Sequence, residues 1–122
     1  MIKRLFISQP MSDKSDEEII AERERIIHKV EDIFPNDTIE VIPSFFKGQV
    51  QSIKPLQLLS KSLELLADAD VAYFANGYDK YRGCRIEYLC ANEYLNIVLM
   101  EEYYNQYKDE IDLRIGITGG EK

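Results

Sequence analysis

Hydrophobic positions along the chain follow two alternating rhythms, a short β-type run and a longer helical period, repeated three times with a final run. Residues 2–8, IKRLFIS, are short and rich in β-forming side chains and predict a first strand. SDEE at residues 15–18 offers Ser15 as an N-cap and Glu18 as its capping-box partner, with early acids that suit the helix dipole. Ile19, Arg23, Ile26, Ile27, Val30, Ile33 and Phe34 then recur at helical spacing until PND ends the segment. TIEVI predicts a second strand closed by Pro43, and Ser44 to Lys54 has no clear period and predicts a loop beside the strand ends.

Pro55 opens the next helix, whose Leu56, Leu59, Leu63 and Leu66 form one stripe widened by Leu58 and Leu65. DVAYFA predicts a buried third strand, NGYDKYRG a loop, and CRIEYLCANEYL a helix with Ile86, Leu89, Cys90 and Tyr94 inward. NIVLM predicts a fourth strand. Beyond it, EEYYNQYKDEID is compatible with a helix, LRIGIT with a further strand, and GGEK with a frayed end. The order β-α-β-α-β-α-β with short connections predicts an α/β fold, a three-layer Rossmann-like or flavodoxin-like sandwich with a parallel sheet of four to five strands. At 122 residues the chain suits a single domain, with 110–122 set apart as a flexible or exchanged tail.

Charge narrows the partners. Fifteen Lys and Arg stand against 22 Asp and Glu, and the resulting net charge of -7 repels a phosphate polymer, so no nucleic-acid polymer is expected. No run is long and apolar enough to cross a bilayer, and MIKRLFISQP lacks the pattern of a secretory signal, so a cytoplasmic protein without a membrane partner is expected. Cys84 and Cys90 diverge by about 240° on a helix, which argues against a disulfide between them, and with one histidine they do not make a zinc site. No metal and no cofactor are expected.

Candidate chemistry concentrates where a strand end runs through a loop into a helix. NGYDKYRGCRIEYLCA, residues 76–91, follows the third predicted strand, and in a doubly wound sheet the ligand crevice lies outside the strand ends where the order reverses, here between the first and third strands. That position brings Ser8, Gln9, Pro10 and Met11 next to Asn76, Gly77, Tyr81, Arg82 and Gly83, the candidate substrate-binding set. Gly83 lets backbone approach a ligand, the helix amides that follow are donors, and Arg82 and Arg85 are suited to neutralising an anion. Glu87, in the first turn or so of that helix, is the candidate catalytic residue, because a carboxylate held there can attack an electrophilic carbon such as the anomeric carbon of a nucleoside. The plainer alternative is a solvated helix glutamate paired with Arg85 or Arg82.

A hydrophobic strand after ADAD, a loop with a glycine, and a glutamate four residues beyond that glycine together resemble the nucleoside 2-deoxyribosyltransferase superfamily. The opening RLFISQPM is similar to the IYISGPM start of that family's small bacterial and phage relatives, and the resemblance spans residues 3–100. It implies a Rossmann-like fold, a homo-oligomer whose sites neighbouring subunits complete, a nucleoside or nucleotide as small-molecule ligand, and double displacement through a glycosyl-glutamate at Glu87. The chain departs from the family pattern at Phe6 for a tyrosine, Ser62 for an aspartate and Tyr81 for a serine. The expected function is therefore 2-deoxyribosyl transfer or hydrolysis at an N-glycosidic bond. The alternative, which those three departures favour, is a noncatalytic nucleotide-binding module of the same fold.

Overall fold

A computed structural model describes residues 1–44, 54–101 and 115–116. Strand β1 (Ile2–Ser8) leads to helix α1 (Asp16–Ile33) and strand β2 (Thr38–Val41); helix α2 (Pro55–Leu66) leads to β3 (Val71–Phe74), and α3 (Arg82–Tyr94) to β4 (Ile97–Met100). A fifth short strand, β5 (Ile115–Gly116), lies within the LRIGIT segment. The sheet order is β2-β1-β3-β4-β5. The first four strands pair in parallel, as the alternating pattern predicts, whereas β5 runs antiparallel to β4. The order reverses between β1 and β3, where Ser8 is in register with Phe74. The helix anticipated in EEYYNQYKDEID and most of the loop anticipated from Ser44 to Lys54 fall outside the described residues.

Alternation along the strands builds two cores and so three layers. Leu5, Ile7, Val71 and Tyr73 pack with Ile26 and Val30 of α1 on one face. Phe6, Ala72 and Phe74 pack with Leu66, Cys84 and Ala91 on the α2 and α3 face. All four residues of β3 are buried because both of its faces are covered, which explains why VAYF reads as a continuous apolar run. Alternation continues past Phe6, so Ser8 faces α3 while Gln9 turns toward α1.

Local sequence sets the helix ends. Ser15 accepts from the Glu18 amide at 3.1 Å, and the Glu18 carboxylate accepts from the Ser15 amide at 2.9 Å, so the capping box forms as predicted. Helix α3 starts two residues earlier than the pattern suggests and differs in kind: Tyr81 at its N-cap makes no side-chain cap, and its first turn carries no acid. The loop before it contains a single 3-10 turn (Tyr78–Lys80) entered through Gly77, whose φ of 86° is left-handed and suits glycine. Tyr78 is buried against Phe74 and Tyr88, with ring centroids 5.1 to 5.6 Å apart, and each such pair contributes about 0.5–1.5 kcal/mol. That cluster fixes the start of α3 on the end of β3. Tyr78 and Tyr88 thus serve packing.

The buried face of α3 is the predicted one only in part: Cys90 packs half-buried against the core and Ile86 is half-buried, but the other two predicted residues are exposed. Leu89 is 63% exposed and Tyr94 81%, whereas Cys84, Glu87 and Ala91 point inward. Small side chains allow the helix to lie close on the sheet, and a carboxylate takes the central inward position. In α2, likewise, Leu56 is exposed and Ser62 joins Leu66 on the buried face. Among the described residues, no helix is long and apolar enough to cross a membrane.

Candidate functional site

The carboxyl end of β1 opens into a cavity of about 1010 Å³ walled by the loop after β1, the start of α2 and the start of α3. Its volume matches the upper range of small-molecule sites. Ser8, Gln9, Pro10, Met11, Tyr81 and Arg82 line it, together with Gly83 and Glu87. The switch point therefore gathers eight of the ten candidate residues on one cavity. Asn76 and Gly77 are not among the lining residues. The Asn76 amide donates to Glu101 at 3.2 Å, and a Cβ on Gly77 would sit 3.8 Å from Pro10, so both act in the turn that shapes the loop.

Glu87 is 92% buried by its 8% exposure, which rules out the solvated helix glutamate. Neither candidate arginine partner meets it: the Arg85 guanidinium donates to the Asp79 carbonyl at 3.3 Å, and Arg82 is exposed on the cavity wall. Instead, Ser8 donates its hydroxyl to Glu87 Oε1 at 2.6 Å. This contact follows from strand alternation, which places Ser8 on the face that α3 covers, and from helix geometry, which carries Glu87 one turn beyond Gly83. Burial pushes the Glu87 carboxyl above its ordinary value, opposed by the hydroxyls of Ser8 and, after it, Ser62. Among the described residues no cation pairs with this carboxylate. Ser62, marked in the sequence only as a departure from an aspartate, is a buried lining residue beside the key acid.

Gln9 lines the cavity but its amide is engaged elsewhere. Its Nε2 donates to Glu22 at 2.8 Å and to the Ile19 carbonyl at 3.3 Å, while its Oε1 accepts from Arg23 at 3.1 Å. Arg23, 8% exposed, also donates to Ser44 Oγ at 3.3 Å and to the Ile42 carbonyl at 3.4 Å. Burial pushes this guanidinium below its ordinary pKa, yet an arginine stays charged. The Arg23 position reads in the sequence as one more member of the amphipathic stripe of α1. Its value in holding three segments together needed the fold to be seen.

The rest of the wall divides by chemistry. Leu56, Leu58, Leu59 and Ile86 supply apolar surface, and Lys54, Lys80 and Arg82 stand at its exposed edge. At the start of α3 the amides of Arg82, Gly83 and Cys84 have no intrahelical acceptor, and no side chain caps them. A Cβ at Gly83 would meet nothing within 4 Å, so the space above this turn is open. Cys84, one turn before Glu87, carries a thiol pushed up to about 11, chiefly by burial. No protein-family model, curated protein or solved structure matches the chain.

Proposed function

We propose that the protein acts on the N-glycosidic bond of a nucleoside or nucleotide, transferring or hydrolysing its deoxyribosyl group through Glu87. The observation that carries this reading is a buried carboxylate on a cavity wall, held by hydroxyl groups and left without a neutralising cation among the described residues. Such a carboxylate is poorly solvated when ionised, and positive charge developing on an anomeric carbon offers the compensation the protein withholds. Glu87 then forms a bond to that carbon as the bond to the base breaks. The base departs with the bonding electron pair and takes up a proton, and the glycosyl ester is released to water or to a second base. The apolar wall from Leu56 to Leu59 offers a surface for the base, and the cations at the edge suit a phosphate where the ligand carries one. The resemblance of residues 3–100 to the deoxyribosyltransferase superfamily points the same way.

One observation favours the noncatalytic alternative. Glu87 is the single carboxyl group among the described lining residues, so no second acid on that wall is placed to protonate a departing base. Incubating the protein with deoxynucleosides and their monophosphates, with and without acceptor base, separates the readings. Release or exchange of base that disappears in Glu87→Gln supports the enzyme, and ligand binding without release in the wild type supports the binding module. We further propose a homo-oligomer, supported by the exposed Leu89 and Tyr94 on α3; light scattering that finds only monomer at micromolar concentration would count against it.

A further inference from the structure

The loop between β1 and α1 is fastened near both ends by one carboxylate that does not itself line the cavity. Glu22, on α1, accepts through Oε1 from the Gln9 side-chain amide at 2.8 Å, and the same oxygen lies 3.6 Å from Lys14 Nζ. Gln9 begins the loop, Lys14 lies two residues before α1, and between them Pro10, Met11 and Ser12 form cavity wall. The Gln9 side chain also donates to the Ile19 carbonyl at 3.3 Å and accepts from Arg23 at 3.1 Å, so every partner it has here belongs to α1. The middle of the loop is held less. Among the described residues its backbone closes one turn, from the Lys14 amide to the Met11 carbonyl at 3.3 Å, and Asp13 within that turn is left-handed at φ 63°. Aspartate tolerates that region better than most residues but does not prefer it, so the turn relies on support from outside itself. Ser8 is anchored differently: it is the last residue of β1, and its carbonyl accepts from the Ala75 amide at 2.9 Å.

We propose that Glu22 is a positioning residue that fastens residues 9–14 to α1 as a strap, and that the strap opens as a unit, withdrawing one wall of the cavity while Ser8 and Glu87 keep their places. Opening breaks side-chain contacts and one turn but no strand pairing, so it needs far less than the opening of the sheet. Glu22 thereby sets how often the cavity stands open along that side, from a position on α1 outside it. Its second oxygen lies 4.0 Å from Arg25, which is ion-paired with Glu101, so the fastening carboxylate is itself steadied from the far end of the sheet. The inference concerns how the wall is held, and it stands apart from any chemistry at Glu87.

The test is hydrogen exchange followed by nuclear magnetic resonance on the full chain, from no urea to about 1 M, below the unfolding transition. In the wild type the Gln9 side-chain amide and the Lys14 backbone amide should exchange with almost no dependence on urea, because strap opening exposes little surface. The Val30 amide inside α1 should exchange faster with each increment, and the Ala75 amide, which donates to Ser8, should outlast both strap signals. Glu22→Leu should speed exchange at Gln9 and Lys14 at least about tenfold, since a hydrogen bond accepted by a carboxylate and an ion pair are lost together. Glu22→Gln keeps an acceptor for Gln9 and should restore most of the protection there, but not at Lys14. Unchanged exchange in Glu22→Leu would overturn the proposal. So would strap signals with the urea dependence of Val30, which would mean that the strap opens only when the domain unfolds, or an Ala75 amide that exchanges together with them, which would mean that Ser8 moves too. These last two results come from the wild type and decide the matter even if Glu22→Leu fails to fold.

Discussion

Two glutamates lie buried at the carboxyl ends of the sheet, and their surroundings are opposite. Glu101, just past β4, is 3% exposed, ion-paired with Arg25 of α1 and hydrogen-bonded by the Asn76 amide at 3.2 Å. Glu87, 8% exposed, has hydroxyl partners and no cation among the described residues. Burial of a carboxylate is costly unless charge or hydrogen bonds compensate it. Where the group faces packed protein, the fold supplies a guanidinium. Where it faces a cavity, the compensation is left incomplete. Depth alone therefore does not mark a candidate reactive acid; a missing counter-charge beside open space makes Glu87 the candidate of the two.

The sharpest test exchanges the two positions. Glu87→Gln should lower base release by more than about a thousandfold while leaving unfolding free energy nearly unchanged, since the amide preserves shape and removes a poorly compensated charge. Glu101→Gln should do the opposite: activity is retained within a few fold, and stability falls because Arg25 and the Asn76 amide lose their acceptor. If Glu101→Gln abolishes activity and Glu87→Gln does not, the assignment of roles is reversed. Arg25→Met is the next largest effect, about 2 kcal/mol in urea unfolding, below the range for fully buried pairs because Arg25 is itself half exposed. A loss under about 0.5 kcal/mol would show that Glu101 is compensated by other groups.

Sequence reasoning reached the strands, the helices, their parallel order and the capping box because each rests on local signals: period, β-branching, proline, and Ser15 with Glu18. The switch point follows from topology, which puts Glu87 at the crevice on the strength of the sequence alone. The inward face of α3 was illegible for a physical reason. A hydrophobic count chooses Leu89 and Tyr94, while the helix packs on the sheet through Cys84 and Ala91, with Glu87 buried between them. Arg23 was hidden similarly, since its partners Gln9, Ile42 and Ser44 come from segments 14 to 21 positions away.

Smaller effects refine the comparison through pH. The folded pKa of Glu87 is raised above the ordinary 4.5, so the native state holds that proton more tightly than the unfolded chain does. The wild type should lose stability as pH rises from about 4.5 through the folded value, and Glu87→Gln should lack this decline. Turnover, which needs the ionised form, should rise over the same window. A pH-stability difference curve that is flat, or slopes upward, would show that Glu87 is compensated like an ordinary buried acid. Ser8→Ala should cost about 1.5 kcal/mol above the Glu87 pKa and less below it, because a hydroxyl donated to an anion is worth more than one shared with a neutral acid. Equal loss at both ends of the range would reassign Ser8 to packing alone.

The position of Cys84 gives the cavity its own gauge. With the thiol pushed up to about 11, chiefly by burial, the thiolate is scarce at pH 8 and alkylation there should be slow. Because Cys84 lines the same wall as Glu87, any molecule that fills the space must slow that alkylation further. Mass spectrometry of the Cys84 peptide then reports occupancy for compounds that are never turned over, which turns an inert thiol into a screen for ligands chosen without regard to chemistry.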